Sequence, residues 1–310
     1  MKIAIIGAGA MGSLFGAKLS SIPENKVFLI DVWKDHVDAI NSQGLLMEED
    51  GELRKYMNLT ACTEASAAGE ADMALVFVKS TITKQAILGN IEVFGHDTTA
   101  LTLQNGLGNI ELISEAVNRK NVVAGTTAHG ATMLEAGKMR HAGQGKTVVG
   151  ELDGSRTERI KSIRDMFNRA GIATEISDNV QGLIWDKLIV NVGINALTGI
   201  TKLHNGELLE HPELLEIMKL AVIEAEQVAK SKGVMLGYED AFAHTKDVCL
   251  ATAKNKASML QDILNRRKTE IDMINGAIVR EGECLGVPAP VNEVLTSLIK
   301  FLEKGRGQYV

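Results

Sequence analysis

The sequence predicts an α/β fold in two parts: an N-terminal domain built on a parallel sheet, residues 1–177, and an all-helical domain, residues 178–310. Three observations lead to this prediction. Short apolar runs alternate with amphipathic segments up to about residue 177, as in strands joined by crossover helices. A glycine-rich turn separates the first strand from the first helix. Beyond residue 177 the strand pattern disappears, and apolar residues recur at helical spacing.

The first strand–helix–strand unit is the clearest part of the pattern. Residues 2–6 form a β-rich run that is fully apolar after its lysine, as in a central parallel strand. A helix is predicted over 11–21 and a second strand over 27–30, which ends at Asp31. A crossover of this kind implies a parallel sheet with a right-handed connection.

The alternation continues less clearly along the first domain. We predict strands at 73–77, 98–103, 121–124 and 172–177, and helices at 35–41, 83–88, 110–117 and 158–169. The glycine-punctuated stretch 130–150 predicts short antiparallel strands at the edge of the sheet. In the second domain we predict helices at 179–197, 212–232, 239–250, 269–285 and 289–304, followed by a frayed tail at 305–310.

Composition narrows the class of protein. The 310 residues suggest roughly two domains, and 45% hydrophobic with 23% charged residues is ordinary for a globular chain. A net charge of −6 argues against nucleic-acid binding. The longest apolar runs fall far short of the roughly 18 residues that a membrane span needs, and the N-terminus does not resemble a signal peptide. Three widely spaced cysteines suit free thiols, so we predict a cytoplasmic protein.

A G-x-G-x-x-G motif opens the first helix. It comprises Gly7, Gly9 and Gly12, with Ala8, Ala10 and Met11 between them. In this context Gly7 permits a tight turn, Gly9 lets the backbone approach a pyrophosphate, and Gly12 allows close helix–strand packing. The helix N-terminus offers N–H groups to the anion. The motif predicts a Rossmann-type dinucleotide-binding domain, and the alternative is a glycine turn that binds no ligand.

Asp31 follows the second strand, about twenty residues beyond the glycines. An acidic side chain there accepts hydrogen bonds from the ribose hydroxyls and repels the 2′-phosphate of NADP, so Asp31 favours NADH. The alternative is a turn residue without a ligand role. Lys34, three residues later, is within reach of a 2′-phosphate, which keeps NADPH open as the cofactor.

Three polar residues are spaced along an otherwise apolar predicted helix. Lys187, Asn191 and Asn195 follow one another at four-residue intervals and therefore project from one side. Buried polar groups need partners, and spacing alone leaves two explanations equally open: a polar ligand or a structural network. Reduction of a ketone requires a proton donor, and a partly desolvated lysine is suited to that role. This chemistry favours Lys187 as a general acid.

Other polar residues are weaker candidates. Glu270 is a second ionisable group, although taken alone it is better explained as an exposed carboxylate on an amphipathic helix. Asn105 and Lys79 follow predicted parallel strands, where open α/β sheets bind ligands, but such residues are usually turn residues. The histidines show no metal-ligand spacing and there is no G-x-S-x-G motif, so neither a metal site nor hydrolase chemistry is predicted.

Together these motifs resemble the ketopantoate reductase family (2-dehydropantoate 2-reductases) over essentially the whole chain. The matching stretches are GAGAMG from residue 7, VKS from 78, QNG from 104, TTAH from 126, WDKL from 185 with Asn191 and Asn195, NGEL from 205, SMLQD from 258 and TEIDMING from 269. The last two and the lysine–asparagine helix are the most specific. The resemblance implies a Rossmann domain followed by a helical domain like that of 6-phosphogluconate dehydrogenase.

The resemblance also implies roles for individual residues. The lysine matching Lys187 protonates the substrate carbonyl oxygen, and the glutamate matching Glu270 lies against cofactor or substrate. Further positions match residues that bind the keto acid, namely Asn105, Asn191, Asn195, Asn205 and Ser258. Cofactor contacts are implied for Lys79, Asn105 and Ala131, beside the glycine motif and Asp31.

Asp31 departs from the family pattern, in which members often carry a basic residue after the second strand and prefer NADPH. It is similar instead to an NAD-dependent branch that reduces other branched or aromatic 2-keto acids to D-2-hydroxy acids. The sequence therefore predicts reduction of 2-dehydropantoate to (R)-pantoate, with a D-2-hydroxyacid dehydrogenase and a non-catalytic dinucleotide-binding regulator as alternatives. We expect a small 2-keto acid as partner and neither nucleic acid nor membrane, and the helical domain could supply the interface of a homodimer.

Overall fold

A computed structural model describes residues 1–304, and the predicted tail at 305–310 lies outside the described residues. The chain forms two compact units. The first comprises residues 1–104 and 109–180, and the second comprises residues 105–108 and 181 onward. The first unit is α/β and the second is helical, which confirms the predicted fold class. The boundary at residue 177 remains our sequence-based proposal for where the domains separate.

The first unit contains twelve strands and six helices among its described residues. The strands are β1 (Lys2–Ile6), β2 (Lys26–Ile30), β3 (Leu45–Glu49), β4 (Glu52–Tyr56), β5 (Leu59–Cys62), β6 (Met73–Val76), β7 (Thr99–Thr102), β8 (Val122–Thr127), β9 (Gly130–Glu135), β10 (Lys138–Gly143), β11 (Thr147–Glu151) and β12 (Thr174–Ile176). The helices are α1 (Ala10–Ser20), α2 (Lys34–Gln43), α3 (Ala65–Ala68), α4 (Thr83–Gly89), α5 (Asn109–Ser114) and α6 (Glu158–Arg169).

Eight strands form the main sheet, in the order β12-β11-β8-β7-β6-β1-β2-β5. All neighbours are parallel except β11 and β8. From β1 the chain builds outward through β2 and β5, then returns to β6 on the other side of β1. Ligands of open α/β sheets bind beyond the carboxyl ends of the strands at such a switch point. The glycine motif, Asp31 and Lys79 follow β1, β2 and β6, so the topology gathers them at this edge.

The expected placement of the strands at 130–150 was only partly right. Strand β11 does join the main sheet antiparallel to β8. Strands β9 and β10 instead form a second sheet with β3 and β4, in the order β4-β3-β10-β9. Neither β3 nor β4 was predicted from the sequence, nor was β5. Helix α1 packs against strands of both sheets.

A buried carboxylate explains why the sequence of β3 does not look like that of a core strand. Glu49 is 4% exposed. Its carboxylate accepts from Lys18 Nζ on α1 at 2.7 Å and from Arg54 at 3.0 Å, and it contacts His141 Nδ1 at 2.7 Å. Removing one partner of such a buried pair is strongly destabilising because a charge is left uncompensated. The strand can therefore bury an acid only because its partners come from α1, β4 and β10.

The second unit contains helices α7 (Val180–Thr201), α8 (Pro212–Ser231), α9 (Ala241–Ala251), α10 (Ser258–Leu264), α11 (Asn275–Leu285) and α12 (Pro290–Lys304). Five predicted helices are confirmed in approximate position, and α10 was not predicted. The predicted helix 269–285 was wrong at its start. Residues Ile271–Met273 form a single 3₁₀ turn, and α11 begins only at Asn275. Glu270 therefore lies in a turn rather than on an amphipathic helix face.

Helix α7 lies at the core of the second unit. By length and composition alone it could cross a membrane, but two thirds of its most apolar stretch is buried within the protein. Leu188, Ile189 and Val192 on this helix are at most 1% exposed and belong to the apolar cluster of the unit. Burying each large aliphatic side chain contributes about 1.5–3 kcal/mol. These contacts hold the helix in place, and with it the polar residues that it carries.

Candidate active site

The glycine motif forms a tight loop between β1 and α1. Gly7 has a φ of +93°, and a Cβ there would lie 2.8 Å from the backbone nitrogen of Val78. A Cβ on Gly12 would overlap the carbonyl oxygen of Gly7, whereas a Cβ on Gly9 would meet nothing within 4 Å. Gly7 and Gly12 are therefore required by the protein's own packing, while the space at Gly9 is open.

The N-terminus of α1 is available to an anion. Gly9 is its N-cap, no side chain caps the helix, and its first turn contains no acidic residue. The partial positive charge of the helix end is therefore not neutralised by a side chain of the first turn. Open space at Gly9 in front of an uncapped helix N-terminus fits the pyrophosphate of a dinucleotide.

Asp31 lies half-buried at the end of β2 and is held by two backbone amides. Ala8 N–H donates to Oδ2 at 2.7 Å, and Trp33 N–H donates to Oδ1 at 2.9 Å. Each carboxylate oxygen retains a further lone pair, so Asp31 can still accept hydrogen bonds from ribose hydroxyls. These hydrogen bonds fix the carboxylate beside the glycine loop, where the sequence predicts it.

Lys34, whose reach to a 2′-phosphate keeps NADPH open as the cofactor, lies at the start of α2. Its Nζ is 2.5 Å from Asp38 Oδ2, and both side chains are mostly exposed. Both charges stay hydrated, so the pair is a weak one that holds Lys34 toward Asp38 without burying it. The carboxylate of Asp31, which is half-buried and accepts from two backbone amides, is held more firmly than the ammonium group of Lys34.

Polar side chains to which the sequence assigns no role fix the turn after β6. Gln104 Nε2 donates to Val78 O at 2.7 Å and to Thr83 Oγ1 at 2.8 Å. Thr83 donates in turn to Asn109, whose amide donates to Ser80 Oγ. This buried network joins the end of β7 to the turn that contains Lys79. Only the short matching stretches at 78–80 and 104–106 could have signalled it.

Two other predicted cofactor residues lie in different surroundings. Asn105 is half-buried in the segment 105–108, which groups with the second unit, where Leu107 N–H donates to Met273 O at 2.9 Å. Ala131 lies on β9 in the second sheet of the first unit and packs against the core of that unit. Ala131 thus follows no parallel strand directly, and only the family resemblance pointed to it.

Helix α7 carries Lys187, Asn191 and Asn195 at successive turns, as predicted. Burial lowers the pKa of Lys187 to about 8, and the nearby Glu270 opposes that shift. A lysine with this pKa is mostly protonated at pH 7 yet far more acidic than an exposed one. Lys187 therefore has the acidity that a general acid needs near neutral pH.

The turn that contains Glu270 is anchored to α12. Glu270 is 8% exposed, and its neighbour Thr269 donates from both N–H and Oγ1 to Glu303 Oε1, at 2.7 and 2.6 Å. Thr269 Oγ1 also accepts from Ile271 N–H at 3.3 Å. This anchoring holds a buried carboxylate within electrostatic range of Lys187.

Two of the predicted substrate-binding asparagines carry polar atoms with no hydrogen-bond partner in residues 1–304. In Asn195 the atom is Nδ2, a donor, and in Asn205 it is Oδ1, an acceptor. The orientation of Asn205 is fixed because Thr252 Oγ1 donates to Val248 O and must therefore accept from Asn205 Nδ2. Each buried polar atom without a hydrogen-bond partner costs about 1–3 kcal/mol of stability, and a bound polar ligand would supply the missing partner.

The two remaining predicted residues are less enclosed. Asn191 is half-buried, and Ser258 is exposed as the first residue of α10. Sequence reasoning missed Asn275, which is fully buried and donates to Val192 O on α7 at 3.2 Å and to Asn292 Oδ1 at 3.0 Å. Asn292 also donates to Glu224, so α7, α8, α11 and α12 are linked through one polar network.

Within the described part of the chain, no group of three or more histidine, cysteine or acidic residues is arranged to hold a metal ion. The first unit presents a dinucleotide loop with an acid after β2. The second presents a lysine of lowered pKa with unsatisfied amide groups. Such a pair of units defines a dinucleotide-dependent oxidoreductase.

Comparison with known proteins narrows this class to one family. A family model described as "Ketopantoate reductase PanE/ApbA" matches residues 3–154, and one described as "Ketopantoate reductase PanE/ApbA C terminal" matches residues 179–303. A 2-dehydropantoate 2-reductase of Pyrococcus horikoshii is 36% identical over 305 residues, which is 98% of each chain. The chain belongs to the ketopantoate reductase family.

Solved structures agree with this assignment. A PanE/ApbA family ketopantoate reductase from Ralstonia eutropha JMP134 has a TM-score of 0.91 at 33% identity, covering 99% of both chains. A ternary structure of D-mandelate dehydrogenase with NADH and anilino(oxo)acetate has a TM-score of 0.92 at 31% identity, covering 98% of this chain and 99% of the other. The similarity thus extends over both units.

Proposed function

We propose that the protein reduces 2-dehydropantoate to (R)-pantoate with NADH, a step of pantothenate and coenzyme A biosynthesis. The observation that carries the proposal is that one helix presents Lys187, Asn191 and Asn195 at successive turns on one side, and the lowered pKa of Lys187 supports it. Full-length similarity to proteins named 2-dehydropantoate 2-reductase supports the choice of substrate. We further propose a cytoplasmic location, and a homodimer remains a prediction to be tested by light scattering.

Each unit contributes a distinct part of the reaction. The glycine loop, Asp31, Lys79 and Ala131 of the first unit would bind the dinucleotide, which supplies a hydride to the keto carbon when bound. Lys187 would protonate the carbonyl oxygen as negative charge develops there. Glu270 would help keep Lys187 protonated, since its charge opposes the effect of burial on the lysine pKa. Asn105 would border both cofactor and substrate.

The asparagines fit a hydroxylated keto acid. Asn195 offers an unsatisfied donor, suited to an oxygen of the keto acid, with Asn191 and Ser258 as further polar contacts. Asn205 offers an unsatisfied acceptor, suited to a hydroxyl group. 2-Dehydropantoate carries such a hydroxyl, whereas 2-ketoisovalerate, 2-ketoisocaproate and benzoylformate do not. A site built to bond a substrate hydroxyl discriminates strongly against analogues that lack it.

The test is turnover of purified protein with these four keto acids under NADH and NADPH. We expect kcat/KM for 2-dehydropantoate to exceed that for 2-ketoisovalerate by about 5- to 150-fold, the value of one satisfied buried acceptor. Asn205→Ala should remove most of this preference. Preference for benzoylformate would indicate a D-2-hydroxyacid dehydrogenase, and dinucleotide binding without turnover of any keto acid would indicate a regulator.

The negative charge of Asp31, which follows β2, predicts a preference for NADH over NADPH. We expect kcat/KM with NADH to exceed that with NADPH by at least about tenfold, or about 1.4 kcal/mol, because Asp31 repels a 2′-phosphate. Asp31→Ser combined with Asp38→Ala should shift the ratio toward NADPH, since the second change also frees Lys34 from its ion pair.

Asp31→Ser with Asp35→Ala is the matched control, because Asp35 is an exposed acid of the same helix that forms no ion pair with Lys34 among the described contacts. If the NADH-to-NADPH ratio in both double variants equalled that of the wild type, Asp31 would not select the cofactor.

A further inference from the structure

We propose that the indole ring of Trp33 is the surface on which the adenine of the dinucleotide stacks. This inference deepens the proposed function, because it rests on dinucleotide binding by the first unit. It concerns a residue to which neither the glycine motif nor the family resemblance gives a role. Adenine is joined to the ribose that Asp31 would bind, so the base must lie within one sugar of that carboxylate.

Exposed apolar surface follows Asp31 directly. Val32 is 93% exposed and Trp33 is 41% exposed. Exposed apolar residues are common when isolated, but here two stand together beside the ribose-binding acid at the ligand edge of the sheet. A planar base laid on the indole would remove part of this surface from water.

The indole is held rigidly on one side. It stacks on the imidazole of His36, with ring centroids 5.1 Å apart and an angle of 13° between the planes. His36 is fully buried and accepts from Gly137 N–H at Nδ1, at 2.9 Å, so its proton lies on Nε2. That nitrogen is 3.3 Å from Ser13 Oγ, which donates to Ala8 O at 2.8 Å. One face of the indole is thus covered by an imidazole that is linked through Ser13 to the glycine loop, and exposed ring surface remains for a ligand.

The backbone of Trp33 is fixed by the same carboxylate. Asp31 accepts from Trp33 N–H on one oxygen and from Ala8 N–H on the other. Ring and acid therefore keep a constant relation to each other and to the loop. Because the stacking surface is ordered before the ligand arrives, little conformational entropy is lost when a base binds.

The experiment is calorimetric titration with ADP-ribose, which contains the adenine and both phosphates but no nicotinamide. We expect Trp33→Leu to weaken binding by about 5- to 150-fold, the usual effect of removing one base–aromatic stack. Trp33→Phe, which retains a smaller aromatic face, should give an intermediate dissociation constant. Leucine still covers His36, so the melting temperature of the free protein should change little.

Phe301→Leu is the matched control, because Phe301 is an exposed aromatic residue on α12 of the second unit. It should leave ADP-ribose binding unchanged. Equal affinity of the wild type and Trp33→Leu for ADP-ribose would overturn the proposal.

A second measurement does not depend on the stability of the leucine variant. The chain has two tryptophans, so Trp185→Phe leaves Trp33 as the sole tryptophan. Stacking of adenine should change its fluorescence, and unchanged emission at saturating ADP-ribose would contradict the proposal. Binding of ADP-ribose without turnover of 2-dehydropantoate would leave this inference intact and refute only the proposed substrate.

Discussion

Replacement of Lys187 by alanine is expected to lower kcat for keto-acid reduction by about 10²- to 10⁴-fold, the usual contribution of a positioned general acid. Without the ammonium group, the oxygen that receives the developing charge must take its proton from water. Lys187 lies between Trp185 and Leu188, which are at most 2% exposed, and its amine is desolvated enough for its pKa to fall, so water is a poorly placed substitute. The dissociation constant of the dinucleotide should change by a much smaller factor than kcat.

The measurement is steady-state turnover with NADH and with NADH deuterated at the transferred position. Slower chemistry should reveal a larger isotope effect in Lys187→Ala than in the wild type. Lys219→Ala is the matched control, because Lys219 lies on an exposed position of α8. Near-normal turnover by Lys187→Ala would refute the assigned role.

The pH profile provides an independent readout of the same residue. Since the pKa of Lys187 is about 8 and the acid form donates the proton, kcat/KM for reduction should be level below pH 8 and fall tenfold per unit above it. Oxidation of the hydroxy acid needs the base form, so its rate should rise toward pH 8 and then level. The fall in the reduction profile and the rise in the oxidation profile should both be absent from Lys187→Ala.

Alanine substitutions at two glycines of the loop are expected to have opposite consequences. Gly9→Ala should leave the free protein as stable as the wild type, because the added methyl group meets no atom within 4 Å and the φ of −61° suits alanine. It should weaken NADH binding by about 5- to 150-fold, since overpacking by one methyl group costs about 1–3 kcal/mol once the pyrophosphate is present.

Gly12→Ala should instead destabilise the free protein. Its methyl group would overlap the carbonyl oxygen of Gly7, so the backbone must shift at a cost of about 1–3 kcal/mol or more. Chemical denaturation and NADH titration of both variants distinguish the two effects. If Gly9→Ala bound NADH normally, the open space at Gly9 would not be where the dinucleotide lies.

The parts of the first unit that could be predicted are those that local physics determines. Strand β1 is apolar because both of its faces are buried, and a glycine turn followed by an amphipathic helix identifies the crossover without distant information. Strand β3 could not be found in this way. Its burial of Glu49 depends on Lys18, which is 31 residues away in the sequence and meets it only in the fold.

The candidate site shows the same division. The spacing of Lys187, Asn191 and Asn195 on one helix could be predicted from the period of the helix alone. The break before α11 could not, because it depends on distant partners: Leu107 N–H bonds to Met273 O, and Thr269 bonds to Glu303. The amide atoms of Asn195 and Asn205 that have no partner in residues 1–304 likewise became visible only when every neighbour was in place.

The bond between Thr269 and Glu303 determines when during synthesis the site can be completed. The two residues are 34 positions apart, and the ribosome makes the earlier one first. Until α12 has left the ribosome and folded, the turn containing Glu270 lacks its anchor. The carboxylate of Glu270 is therefore not yet held in position near Lys187. The nucleotide loop of the first unit is made long before. A nascent chain should therefore form its cofactor-binding loop early. The surroundings of Lys187, the proton donor, should be completed only at the end of synthesis.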